Sequence, residues 1–396
     1  MNHRKFKADQ IFTGYQMLGA DHVLITDAAG KIISVEKEID AGSEAEYFKG
    51  IITPGFINAH CHLELSHMKG LVPEKTGLVD FVFKVVTERH FPDEEIFAAI
   101  EKAEEEMLQN GIVAVGDICN NLSTLPQKLK ANIVYYNFIE TSGWLPSIAQ
   151  ARFERALNLY KEFQLQTTKY KPQTSIVPHA PYSVSQNLWE FIIPYFKNKT
   201  ISIHNQETPF EDEFFLQGTG DFLRMYEKMN IDNSFHVPTN KSSLESYFSK
   251  LSNAKNVMLV HNTFTKQEDL EFIKLQTINQ QLQTFFCLCV NANQYIENAL
   301  PPLELFIKNN CDIILGTDSL ASNHSLNILD EMKTIQKNFS SVLLPQMLQW
   351  CTLNGAKALQ IDDKFGSFEK DKTPGIVLIE KVDNGNISAA KSRRIL

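Results

Sequence analysis

The feature that most constrains this chain is a repeated alternation of short apolar runs with longer, helically patterned segments. The runs are Gly55–His60 (GFINAH), Ile112–Ile118 (IVAVGDI), Ile133–Glu140 (IVYYNFIE) and Ser175–His179 (SIVPH). Thr200–His204 (TISIH), Asn256–His261 (NVMLVH), Thr284–Val290 (TFFCLCV) and Asp312–Asp318 (DIILGTD) follow. Near-continuous apolar strands suit a parallel sheet that is covered on both faces. Between them, Asp93–Asn110 opens with acidic residues and is followed by Gly111, both helix-boundary signals. Ile148–Phe163, Gln186–Lys197, Glu211–Met229, Lys266–Gln276 and Leu303–Lys308 also carry helical patterns. Alternation repeated in this way predicts an α/β chain on a (β/α)8 TIM barrel. A doubly wound open sheet is the competitor, because periodicity does not show closure.

The ends read differently. Residues 9–50 hold QIFTGYQM and HVLITDAAGKIISVEKEI, the second being two β-rich runs around Ala29-Gly30, a hairpin signal. The tail holds the strand-like run Gly375–Val382. The expected division is therefore a small β-sandwich domain from 1–53 plus 362–396, with the barrel at 54–361. The chain's 396 residues leave room for such a satellite, since barrels typically take ~250.

Composition excludes several classes. Lys plus Arg number 38 and Asp plus Glu 47, a net charge of −9. That argues against a nucleic-acid binder, which needs clustered basic residues. No apolar run is long enough to span a membrane. The start, Met-Asn-His-Arg-Lys-Phe-Lys, is basic without an apolar core, so a secretory signal is not expected. The six cysteines show no disulfide-framework spacing and read as reduced thiols in a cytoplasmic setting. Cys287 and Cys289 read as buried strand residues. The expected partner is a small molecule; oligomeric state stays open, a homodimer included.

The chemical signal is positional. A barrel enzyme builds its active site at the C-terminal ends of its strands. Here runs end at His60, His179, His204, His261 and Asp318. In Asn58-Ala59-His60-Cys61-His62, residues i and i+2 of a strand face the same side. His60 and His62 can then offer two imidazole nitrogens to one cation. His204 adds a third, and Glu207 follows where the chain turns out of the mouth. Asp318 can take a metal position or accept a proton, although an Asp there also reads as a helix cap. His261 can orient a water molecule or polarise substrate, against the reading of a satisfied core histidine. His179, between prolines, and Glu64, after the histidine pair, are placed for substrate, as is Ser319 beside Asp318.

At these residues the chain resembles the amidohydrolase superfamily, in its deaminase and chlorohydrolase branch. The likeness lies in PGFINAHCHLE (54–64), VPHAPYS (177–183), IHNQET (203–208), LGTDS (315–319) and TLNGA (352–356). The resemblance implies that His60, His62, His204 and Asp318 bind metal and that Glu207, His261 and Asp318 are catalytic. Other branches carry a strand-four lysine bridging two metals. Ile133–Glu140 contains none, so one divalent cation is expected, Zn2+ before Fe2+. That cation lowers the pKa of water toward ~7, supplying hydroxide for hydrolysis. HLE at 62–64 and LGTDSLASN at 315–323 look like aminofutalosine deaminases of menaquinone synthesis, which implies release of ammonia from an aminopurine-type heterocycle. The alternatives are an amidase or lactamase-type hydrolase cleaving a C–N amide bond, and a barrel scaffold without catalysis. Two departures stand out: Val290 rather than proline follows Cys289, and the closing segment reads DKTPGI (371–376).

Overall fold

The computed structural model describes residues 3–42, 44–166, 173–280 and 282–396. Met1 and Asn2 of the basic start lie outside them.

The chain opens with five strands: β1 (Arg4–Phe12), β2 (Met17–Gly19), β3 (His22–Thr26), β4 (Ile32–Lys37) and β5 (Glu46–Pro54). The hairpin read at Ala29-Gly30 is the β3–β4 turn, where the Asp27 carboxylate accepts from Ala29 N and Lys31 N, both at 2.9 Å. Strands β6 (Phe56–Cys61), β7 (Ile112–Cys119), β8 (Val134–Thr141) and β9 (Gln173–Pro178) form one parallel sheet in chain order. Strands β10 (Thr200–Asn205), β11 (Asn256–His261), β12 (Gln283–Leu288) and β13 (Asp312–Leu315) form a second. The protein is thus α/β with parallel sheets, as their apolar runs require: β6, β7, β10 and β11 are buried at every residue.

Two seams join these sheets. His204 N donates to His179 O at 2.9 Å, linking the ends of β9 and β10. Thr317 N and Asp318 N donate to His60 O at 3.0 and 3.1 Å, and Cys61 pairs in parallel with Asp318. One apolar core runs through both sheets and the helices around them, from Phe56 and Ile57 to Ile314 and Met332.

The tail adds β14 (Ile376–Glu380) and β15 (Lys391–Arg394). Together with β1–β5 they make one seven-stranded sheet, in the order β15-β14-β5-β1-β3-β4 with β2 on β1. Its face packs Phe6, Leu24, Ile52 and Leu378 into a separate core. Because β5 runs through Gly55 into β6, this sheet anchors the strand that carries His60.

Some boundaries move. The run Asp312–Asp318 stops being strand at Leu315, and Thr284–Val290 stops at Leu288. Glu211–Met229 is two helices, Phe210–Gln217 and Phe222–Lys228, because Gly218 takes a left-handed φ of 72° and ends the first. The lysine comparison also needs correcting. Ile133–Glu140 falls on the third strand of the series, β8; the fourth, β9, reads QTSIVP and has no lysine either. Among the described residues no helix is long and apolar enough to cross a membrane.

Candidate functional site

Strand ends bring His60, His62, His179, His204 and Asp318 to one place, and local backbone irregularity aims them. Between Asn58 and Cys61, β6 has one more residue than β7 uses, a bulge that re-aims Ala59 and His60. On the other side of His60, Gly316 lies so close that a Cβ would meet His60 Cβ at 2.9 Å. Asn58 locks this seam, donating from Nδ2 to Thr317 Oγ1 at 2.7 Å and accepting from Thr317 N at 3.1 Å. Asp318 (φ 58°), His261 (φ 75°) and Gln206 (φ 46°) sit in the left-handed region. Such conformations cost free energy and cluster at functional sites.

The distances are short. His60 Nε2 and His62 Nε2 lie 3.6 and 3.4 Å from Asp318 Oδ1. The His60 ring centroid is 5.0 Å from those of His62 and His204. Ligand atoms of His60, His62 and Asp318 all fall within 4.8 Å of one another. The sets His60–His204–His261 and His62–Glu140–His204 meet the same limit. His60 Nδ1, His60 Nε2 and His204 Nε2 are buried without a hydrogen-bond partner.

Electrostatics separates the acids. Burial lowers the His60 imidazole to about 4 and lowers His179, His204 and His261 as well. All four are therefore neutral at pH 7, and the His60–Asp318 contact is not an ion pair there. Neutral imidazole is the form that binds a cation. Burial pushes the Asp318 carboxyl up, but the adjacent His60 and the surrounding histidines outweigh that and hold it well below its usual range. Glu140 behaves likewise: burial is outweighed by His179, His204 and His62. Glu207 goes the other way, because burial and the nearby Asp318 raise it well above the carboxylate range. One site thus holds carboxyls shifted in opposite directions, an arrangement suited to proton transfer.

These groups line a pocket of about 630 Å³ whose wall includes His62, Glu64, His179, His204, Glu207, Asp318 and Ser319. Its apolar side is built by Leu65, Phe81, Trp144, Tyr182 and Tyr226, with Arg89, Arg152 and Arg155 also on the wall. His179 Nδ1 pairs with Ser183 Oγ at 2.8 Å. Glu64 Oε2 accepts from Asn120 N at 2.9 Å. Ser319 Oγ lies 3.1 Å from Ser322 Oγ, which donates to Asp318 Oδ2.

His261 is held by side chains rather than open to the pocket. It does not line the pocket: its Nδ1 lies 2.8 Å from Asn293 Oδ1 and its Nε2 3.0 Å from His204 Nδ1. Its Nε2 also lies 3.5 Å from Oε1 of Glu207, which lines the pocket. His324 is exposed, paired with Glu74 at 3.2 Å. Sequence reasoning passed over Glu140, although it ends an apolar run by the very rule that found the histidines. It also passed over Asn120, which follows β7 and gave no signal.

Comparison with known proteins agrees with this picture. Residues 51–393 match the Amidohydrolase family. An adenosine deaminase of Helicobacter pylori is 26% identical over 340 residues, covering 83% of this chain and 79% of that protein. A 5-methylthioadenosine/S-adenosylhomocysteine deaminase of Thermoanaerobacter pseudethanolicus is 26% identical over 364 residues, covering 88% and 76%. The crystal structure of H. pylori aminofutalosine deaminase with methylthio-coformycin superposes with a TM-score of 0.83 at 22% identity, over 99% of this chain and 100% of that one. That likeness shows a shared fold.

Proposed function

The chain belongs to the amidohydrolase family, a metal-dependent family, and from that premise we propose that it is a hydrolytic deaminase of adenosine-like substrates. The observation that carries the proposal is the pairing of unpartnered, neutral imidazole nitrogens with carboxyls shifted in opposite directions, all at one pocket. We assign a single divalent cation, Zn2+ before Fe2+, to His60, His62, His204 and Asp318. The residues fit it: buried lone pairs without partners are costly unless something occupies them. When bound, the cation supplies the acidity that makes water a nucleophile near neutral pH.

The chain's own groups do the rest. Asp318, ionised, takes the proton of the attacking water. Glu207, whose protonated form burial favours, gives its proton to the heterocycle, and the proton that Asp318 took from water passes to the departing amine, so that ammonia leaves. His261 fixes the tautomer of His204 and stands 3.5 Å from Glu207, the proton donor. His179, Glu64 and Ser319 face the substrate from the pocket wall. The family, the two seams and the strand order support reading β6–β13 as a closed (β/α)8 barrel over 54–361. The single terminal sheet supports a satellite domain of 1–53 plus 362–396, for which we propose a small β-sandwich. All six cysteines are free, which fits a reducing, cytoplasmic setting.

The names of the relatives set the substrate panel: adenosine, 5-methylthioadenosine, S-adenosylhomocysteine and aminofutalosine. Ammonia release from at least one, falling about 10²–10⁴-fold in Glu207→Gln with metal content unchanged, is the expected result. Full activity in Glu207→Gln removes the proton-transfer role. Amine release from amide or lactam substrates, with no ammonia from the panel, replaces the deaminase by an amidase.

A further inference from the structure

The geometry points to Glu140, at the end of β8, as a fifth protein ligand of the cation centre. Two acceptors face each other there. Asn293 Nδ2 donates to His261 O at 3.4 Å, which turns Asn293 Oδ1 toward His261 Nδ1 at 2.8 Å. His261 Nδ1 must then carry the hydrogen, so His261 Nε2 is an acceptor. His204 Nδ1, 3.0 Å away, must donate to it. That leaves a lone pair on His204 Nε2, and Glu140 Oε1 stands 3.6 Å from it. Both atoms are buried and neither has a hydrogen-bond partner. The other carboxylate oxygen, Oε2, accepts from Asn120 Nδ2 at 3.0 Å, which fixes the direction of Oε1.

The spacing matches that of the assigned ligands. Glu140 Oε1 to His204 Nε2 is 3.6 Å, the same as His60 Nε2 to Asp318 Oδ1 and close to the 3.4 Å from His62 Nε2. Two donors at ~2.0–2.2 Å from one zinc ion lie in this range. The Glu140 set shares His62 with the Asp318 set. The sets overlap at His62 and His204, which puts Glu140 beside the assigned ligands rather than at a second, separate site. A divalent cation facing both carboxylates would offset the penalty for burying them.

The inference rests on the centre proposed above, and its test is a binding measurement that needs no substrate. Metal-free protein is titrated with Zn2+ and with Mn2+ against a chromophoric chelator. Glu140→Gln, close to isosteric, should weaken Zn2+ binding at least tenfold. The loss should be larger for Mn2+, which prefers oxygen ligands. Asn120→Ser, which frees the carboxylate without removing it, should shift both affinities the same way by less. Urea midpoints of the metal-free variants check folding. Unchanged affinities in Glu140→Gln overturn the inference and leave Glu140 to the substrate. Wild-type affinity in the double variant His60→Ala, His62→Ala would sink the centre itself, a separable result.

Discussion

Two buried polar clusters lie within a few residues of each other along the strand ends, and they are built on opposite principles. Behind the mouth, Asp117 of β7 accepts from Leu63 N at 2.9 Å and pairs with Lys128 Nζ at 2.5 Å. Lys128 is buried and also donates to Asn137 Oδ1 at 2.9 Å, with Tyr135 and Phe163 rings about it. Burial pushes its ammonium down, but Asp117 and Cys119 outweigh that and raise it. Of this cluster only the Asn137 amide NH2 is left over. At the mouth, His60, His204 and Glu140 keep open lone pairs under equal burial. A cluster that serves the fold closes its hydrogen bonds; one that serves a ligand leaves them open. Activity should therefore be lost at the mouth and stability behind it.

Removing the mouth's first two imidazoles, His60→Ala with His62→Ala, should lower kcat/KM by at least ~10³-fold, about 4 kcal/mol of transition-state stabilisation. Metal content should vanish while the metal-free protein melts no earlier than wild type. A large drop in the melting temperature of that metal-free form would mean that the mouth serves the fold after all.

Lys128→Met attacks the other cluster. It leaves Asp117 buried and unpaired, which should cost about 3–5 kcal/mol in urea unfolding. Adding Asp117→Asn should recover part of that loss, and metal content should survive in both. If Lys128→Met keeps wild-type stability, the contrast between the clusters fails.

Acid sharpens the comparison further. The buried histidines bind protons more weakly folded than unfolded, so the unfolded chain takes up more protons below about 6.5. Stability of the metal-free protein should therefore fall as pH drops from about 6.5 toward 4, the value to which burial lowers His60. That one group contributes roughly 3 kcal/mol across the window. Saturating Zn2+ should flatten the curve, because the cation competes with protons. Unfolding midpoints measured at several pH values, with and without zinc, decide it.

The smallest effect belongs to neither cluster. His324, exposed beside Glu74, should tolerate alanine with a change within about 0.5 kcal/mol and unchanged kcat/KM. A clear rise in KM would place it on the substrate.

Much of this was legible beforehand. Apolar runs of strand length separated by helical segments fixed the α/β class, because only strands buried on both faces read that way. The same runs placed His60, His62, His179, His204 and Asp318 at strand ends. The irregular elements were less legible. The Asp312–Asp318 run looked like strand to its end, but β13 stops at Leu315 and the chain crosses to His60 through a left-handed Asp318. Nothing in residue type announces a bulge at Ala59 and His60.

The sequence by itself determined which residue types stand at the strand ends, since period and burial are local properties. It did not determine what each one meets. Asp117 and Glu140 lie near the ends of neighbouring apolar runs and look alike in sequence, yet Lys128 pairs with the first, whereas Oε1 of the second has no hydrogen-bond partner. His261 could be read as orienting water, polarising substrate or a satisfied core histidine, and the fold set it against Asn293, His204 and Glu207. Partners that lie tens of residues away come together only when the strands assemble, and a polar group's role depends on whether such a partner satisfies it.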